Sequence, residues 1–389
     1  MTVSVQQATE ILNSQETEYN RYESLWRECR QYAAPYMGRF TVTGEENTAA
    51  VTKPRYATEP SALKYLKVMA AGLQAGTTSR TRPWFQITTD DEDFNNSAVM
   101  SKWTHEVKNK MFQTFDQSNV YKVTGNQYME LGAFGTAAMQ IMPHPKGGIW
   151  GHSYTAGEYM ISLDQYYEPS IFTRKHWMTA RQIVDAFGME RASIGVKNAY
   201  RNRDRDTTFM VVHMIMPNDE ADVTKADRLN MPFSSIKWQF GEENYLQESG
   251  FRERPVMTPR WWTSSDDSYG ISPTMEMLGR TRLLNKLDEK AVKAIDLVID
   301  PKMNAPLSAK NRNFRNNNPN STIFTTQGAQ AVQPQYQINW DIQAAEFKID
   351  RTKQQLREGY YNDIFQTFLG TQDDPTKTAT EVVKLDEEK

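Results

Sequence analysis

Five histidines, His105, His144, His152, His176 and His213, are the first candidates for chemistry in this 389-residue chain. A zinc site needs HExxH or HxH spacing, or several thiolates, and the sequence offers neither. The one cysteine, Cys29, cannot close an intrachain disulfide, which fits assembly in a reducing compartment. No G-x-S-x-G elbow is present to expose a nucleophilic serine. Asp90–Asp91–Glu92–Asp93 lacks the alternation and the glycine of a calcium loop and reads as a solvated acidic loop. Gly72 and Gly76 imitate a phosphate loop, but Thr77 stands where that loop needs lysine. No dinucleotide fingerprint follows a strand pattern. The sequence therefore predicts no metal, no cofactor and no catalytic centre, and it points to a structural or assembly role.

Composition bounds the partners. Net charge is -3, so no global field draws nucleic acid, and any DNA contact must come from local patches. Mean hydropathy is -0.70 while aromatics reach 11%, a balance that suits a protein burying rings against partners. No run approaches 18 apolar residues, and the N-terminus has no basic region followed by an apolar run.

The strongest periodic pattern is a helical hairpin near the end of the chain. Its first arm is expected from Ser272 to Ile299, with Ser272 as cap and Pro273 at the first helical position. Met277, Leu284, Leu287, Ala291, Ile295 and Val298 fall on one stripe, opposite Arg282, Lys286, Lys290 and Lys293. The second arm is expected from Ile342 to Phe368, with Ala345, Ile349, Leu356, Tyr360 and Ile364 as its stripe. Both stripes are narrow for a globular core. The plain reading is an antiparallel helical hairpin inside an ordinary bundle.

Upstream, helices are expected over about 5–36, Glu59–Ala75, Asn95–Phe115 and Val120–Phe134, the last ended by Gly135. Trp84–Ile87 reads as a strand. From Thr136 to Thr263 the pattern shifts to strands: Thr136–Met142, His152–Tyr154, Glu158–Leu163, Phe209–Pro217, Ser235–Phe240 and Val256–Trp262. One helix, Thr179–Phe187, interrupts them. The region is expected to be a mostly antiparallel α+β domain, and Trp261, Trp262 and Tyr269 a packing anchor before the hairpin. Residues 302–341, rich in Asn, Gln and Pro, suggest a small excursion between the arms, with strands at Ser321–Thr325 and Gln335–Trp340. Thr378–Lys389 begins a charged helix, and the chain is expected to be incomplete because it stops inside that element.

Five stretches together carry a resemblance: LWRECRQYAAPYMGRF (25–40), ATEPSALKYLKVMAAGLQAGTTSRTRPWFQI (57–87), YMELGAFGTAAM (128–139), RPVMTPRWWTSSDDSYGISP (254–273) and TATEVVKLDEEK (378–389). In this order they resemble the head-to-tail connector, or portal, proteins of short-tailed bacteriophages. The resemblance implies an α+β portal-type subunit in a closed ring, generally a dodecamer, around a channel for double-stranded DNA. It implies a wing at 1–270, a first stem helix at 271–301, a clip at 302–341 and a second stem helix at 342–368. A channel loop would follow at 369–377 and the start of a crown at 378–389.

The implied partners are other copies, the terminase, tail adaptor and tail proteins, the major capsid protein, a scaffold protein, internal ejection proteins and transiently held DNA. The implied place is the unique capsid vertex of the virion, after assembly in the host cytoplasm, with no membrane. Leu284, Leu287, Ile295, Leu356 and Tyr360 are expected to pack the stem. Lys348, Arg351, Lys353, Arg357, Gln372 and Lys377 are candidates to face DNA. Lys310, Arg312 and Arg315 are candidates to dock partners from the clip. Glu346, Asp350, Lys353 and Arg357 share a helical face and are expected to pair within or between subunits. The competing readings are a DNA-processing enzyme, for which no convincing carboxylate cluster on a basic surface is found, and a helical scaffold without a channel.

Overall fold

The computed structural model describes residues 3–40, 59–91, 95, 97–221, 224–225, 227–299, 303–304, 333–334 and 342–365. The chain opens with α1 (Val5–Tyr32). Ser4 starts it with a capping box: its Oγ accepts from the Gln7 N–H at 3.3 Å, and Gln7 Oε1 accepts from the Ser4 N–H at 3.0 Å. Three more helices follow: α2 (Ser61–Thr77), α3 (Ala98–Gln117) and α4 (Val120–Phe134). Gly135 ends α4 in the left-handed region at φ 77°, where a side chain is strained.

Two antiparallel sheets come next. β1 (Ala138–Pro143) lies between β2 (Ile149–Tyr154) and the short β8 (Val256–Met257). The larger sheet runs β3 (Tyr159–Leu163), β4 (Pro169–Thr179), β5 (Thr208–Pro217), β6 (Phe233–Gln239), β7 (Tyr245–Phe251), each strand beside its sequence neighbour. Two helices, α5 (Ala180–Phe187) and α6 (Ile194–Arg201), sit in the β4–β5 connection. Then come α7 (Pro273–Ile299), the pair β9 (Met303–Asn304) and β10 (Gln333–Pro334), and α8 (Ile342–Gly359). The expected mixture of helix and antiparallel sheet is observed.

The main core gathers around Trp26 of α1. Its indole N–H donates to the Phe134 carbonyl at 3.1 Å, and Tyr269 meets its ring edge-on at 4.9 Å. Phe40, Leu66, Met69, Phe172 and Ile215 complete this core, so it joins the helices to one face of the larger sheet. The other face packs Val212, Met214, Ile236 and Trp238 against Val5, Ala8 and Leu12 of α1. Alternation along β5 and β6 explains how one sheet feeds two cores.

Several expectations need correction. Trp84–Ile87 is not a strand; it is a loop whose Trp84 and Phe85 stack on Phe115 and Phe112 of α3. The strand expected over Val256–Trp262 ends at Met257. The elements not expected at all are β4, β7, α6 and the two-residue strands β9 and β10. β4, at 11 residues the longest strand, carries Arg174, Lys175 and His176 in its middle, which masked its alternation. In the aromatic anchor, Tyr269 is buried, whereas Trp262 is 55% exposed. The strands expected at Ser321–Thr325 and Gln335–Trp340 and the helix at Thr378–Lys389 lie outside the described residues.

Candidate assembly site: the hairpin and its base

The hairpin is fixed at its base by buried polar groups. Ser272 Oγ accepts from the Met275 N–H at 3.0 Å, which caps α7, and donates to the Ala133 carbonyl at 3.0 Å. Thr274 Oγ1 donates to the Gly132 carbonyl at 2.7 Å and accepts from the Tyr360 hydroxyl at 3.0 Å. These bonds satisfy carbonyls at the end of α4, where helical partners run out. Tyr360 and Leu356 are fully buried, and Thr352 nearly so.

The buried face of α7 differs from the stripe read in sequence. Thr274, Leu278, Thr281, Leu284 and Asn285 are buried, while Met277 and Leu287 are half-buried. Polar members can sit there because each is bonded: Thr281 Oγ1 donates to the Met277 carbonyl, and Asn285 Nδ2 to the Thr281 carbonyl. Asn285 Oδ1 also accepts from the Glu59 N–H at 3.0 Å, tying α7 to the start of α2. Farther along, the apolar side chains are uncovered: Val292 is 53% exposed, Ile295 48% and Ile299 75%. On α8, Phe347 is 68% exposed. The base is therefore a finished core, and the distal half presents apolar surface.

The second arm is not one helix to Phe368. It stops at Gly359, and Tyr361 turns into the left-handed region at φ 55° before a further helical turn to Phe365. A Cβ on Gly359 would stand 2.3 Å from Met277 Sδ, so any larger residue there would force the half-buried Met277 side chain to move. The break rotates the stripe: Ile364 is 38% exposed and Asn362 is buried.

Lys353 and Arg357 of α8 pair within the subunit, each with a carboxylate outside the helix. Lys353 Nζ reaches Glu59 Oε1 at 3.3 Å, and Arg357 Nε reaches Asp363 Oδ1 at 2.5 Å. Both cations are half-buried and engaged within the subunit. Lys348 and Arg351 are exposed and have no ion pair with a described residue. Leu284, Leu356 and Tyr360 thus pack within the subunit, Leu287 sits at the margin, and Ile295 faces outward. Gln372, Lys377, Lys310, Arg312 and Arg315 lie outside the described residues.

Two anchors escaped the sequence reading. Glu59 Oε2 accepts from the Ser61 N–H at 2.9 Å at the start of α2, while its other oxygen holds Lys353. Arg282 of α7 pairs with Glu28 and lies 5.2 Å from the Tyr32 ring centre of α1. Each joins residues far apart in sequence, so no local pattern could have signalled them.

The model of the family described as bacteriophage head to tail connecting protein matches residues 5–389. The chain is 32% identical over 377 residues to a protein named probable portal protein from Bordetella phage BPP-1. It is 29% identical over 378 residues to a protein named portal protein from Salmonella phage epsilon15. Each alignment covers 96% of this chain and 67% of the relative. Among solved structures, a chain from the neck of an empty gene transfer agent particle is similar at 11% identity and TM-score 0.41, over 88% of this chain and 75% of that one. A chain from the virion of a native gene transfer agent particle is similar at 10% identity and TM-score 0.39, over 85% and 72%. Both structural similarities are too distant to support an argument. The chain belongs to the bacteriophage head-to-tail connecting protein family. Its role is that of a structural connector between phage head and tail. Among the described residues no helix is long and apolar enough to cross a membrane.

Proposed function

We propose that this chain is one subunit of a closed, dodecameric portal ring at a single capsid vertex, enclosing a channel for double-stranded DNA during packaging and ejection. The observation that carries this reading is the division of the hairpin. Its base is locked into the subunit core, while Val292, Ile295, Ile299 and Phe347 on the distal half stay exposed. An apolar band on a projecting hairpin is covered when neighbouring hairpins pack side by side in a ring. Residues 1–270 then form the wing, 271–301 and 342–368 the stem, 302–341 the clip, 369–377 the channel loop, and 378–389 the beginning of a crown.

In this arrangement Lys348 and Arg351, exposed on α8, are the cations free to meet phosphate briefly. Lys353 and Arg357 are already committed to Glu59 and Asp363. Near-neutral stem walls suit a channel that must let DNA slide, because each neutralised phosphate adds affinity through counterion release. Lys310, Arg312 and Arg315 of the clip serve the docking of terminase and tail adaptor, and replacing all three by Ala weakens docking while rings persist. Gln372 and Lys377 lie on the channel loop, and deleting Thr371–Asp374 leaves rings intact but genomes incomplete or poorly retained. Capsid, scaffold and ejection proteins contact the ring from the head side. The direct test of the ring is Ile295→Asp, viewed by negative-stain microscopy beside the parent. Loss of rings from a folded variant supports the reading, and normal rings overturn the stem assignment.

A further inference from the structure

The larger sheet carries a row of side chains that begins at the core residue Tyr159 and whose remaining members neither the core nor the hairpin uses. Strand register lines up Tyr159, Arg174, His213, Lys237 and Gln247 across all five strands, on one face. On that face Phe172 and Ile215 enter the main core at one end, and Val211 packs under α5 at the other. Between these apolar ends the face is polar. It looks across a cleft of about 440 Å³ at His152 and Trp150 of β2 and Gln140 of β1. That volume lies in the range of small-molecule sites.

The lining has a one-sided charge. Arg174 and Lys237 are both half-buried there and none of the lining side chains is a carboxylate, while burial holds His152, His176 and His213 below the ordinary histidine range, so their rings are neutral. Lys237 Nζ donates to Gln247 Oε1 at 3.0 Å and lies 5.6 Å from the Phe187 ring centre, so no carboxylate answers its charge. Arg174 has Glu158 at 4.0 Å, and Glu158 is also held by Arg39. Burial, then Arg174, holds the Lys237 ammonium below its ordinary range. The buried atoms His176 Nδ1, His152 Nε2 and Arg174 Nε have no hydrogen-bond partner among the described residues. Two like charges and several unpaired donors or acceptors in one cleft are costly unless an anion joins them. Trp150, stacked on His152 at 5.6 Å and 37% exposed, adds a flat ring face at the mouth.

We propose that this cleft binds a small phosphate-bearing molecule with a planar body. The phosphate sits between Arg174 and Lys237, and the body lies against Trp150. The site belongs to the subunit and does not depend on the ring.

The test is isothermal titration of the 389-residue chain with inorganic phosphate and with adenosine monophosphate, at constant ionic strength with chloride as the control anion. Both probes should bind saturably, the nucleotide more tightly. Lys237→Gln should weaken both by tenfold or more, while its unliganded melting temperature stays within a few degrees of the parent. Trp150→Ala should weaken the nucleotide alone. Lys197→Gln, on α6 and outside the cleft, should change neither. Absence of saturable binding, or binding that Lys237→Gln leaves intact, overturns the proposal.

Discussion

The Tyr360 hydroxyl donates to Thr274 Oγ1 at 3.0 Å, and both residues are fully buried. This bond joins the end of α8 to the start of α7, and Thr274 passes it on to the Gly132 carbonyl at the end of α4. The two arms of the hairpin are thereby set against the subunit core at one point. Tyr360→Phe removes the hydroxyl but leaves Thr274 bonded to Gly132, so the cost should be about 1 kcal/mol. Tyr360→Ala empties a fully buried ring site and should cost about 3–5 kcal/mol. Chemical denaturation of the three proteins checks the order and the gap.

Gly135 and Gly270 cross at close range. A Cβ on Gly135 would lie 2.1 Å from the Gly270 carbonyl oxygen, and Gly135 already has φ 77°. The backbone cannot give way, because the Trp261 N–H donates to the Gly135 carbonyl at 2.8 Å. Gly135→Ala should therefore destabilise by more than the ~1 kcal/mol of an ordinary left-handed alanine. Gly279, with open space around its Cβ position, is the control: Gly279→Ala in α7 should stabilise by a few tenths of a kcal/mol or more. Thermal melts of the two variants should move in opposite directions.

Glu130 is buried, and burial pushes its carboxyl up to about 8, against hydrogen bonds from Thr155 Oγ1 at 2.7 Å and the Ala156 N–H at 3.2 Å. Its pKa is higher folded than unfolded, so between about 4.5 and 8 the folded state holds the extra proton. Its contribution to stability is then full below pH 4.5 and is lost as pH rises toward 8. Glu130→Gln fixes the neutral form, so this fall should flatten. Denaturation midpoints at pH 5 and pH 8 should differ less in the variant than in the parent, and an equal difference would refute the assignment.

Leu284 and Ile295 separate folding from assembly. Leu284 is 1% exposed and Ile295 48% exposed on the same helix. Leu284→Asp buries an unpaired charge and should cost several kcal/mol, enough to unfold the subunit. Ile295→Asp should leave circular dichroism and the melting temperature of the separated subunit nearly unchanged, and remove self-association. Sedimentation velocity with circular dichroism distinguishes the two outcomes.

The sequence carried the elements whose signals are local. Val120–Phe134 with its terminating Gly135 matched residue for residue, and the cap at Ser272 was read correctly. Thr179 was read as the cap of α5, and its Oγ1 accepts from the Gln182 N–H at 3.2 Å. What failed depended on distant partners. The buried face of α7 is half polar because Thr274, Thr281 and Asn285 bond to nearby carbonyls, so apolar spacing alone gave a stripe that shares Leu284 with the buried face but is rotated from it. The break at Tyr361 has no proline or glycine at that position to announce it. Lys353 pairs within the subunit, but its partner Glu59 is far away in sequence, so helical spacing alone could not name it.

The central claim is that exposed distal hairpins are covered by neighbours in a closed ring. Native mass spectrometry of the chain at micromolar concentration tests it most directly. The account predicts one dominant species at a high integer multiple of 44.9 kDa, consistent with a dodecamer and unchanged on moderate dilution. A stable monomer at 44.9 kDa under the same conditions would contradict it.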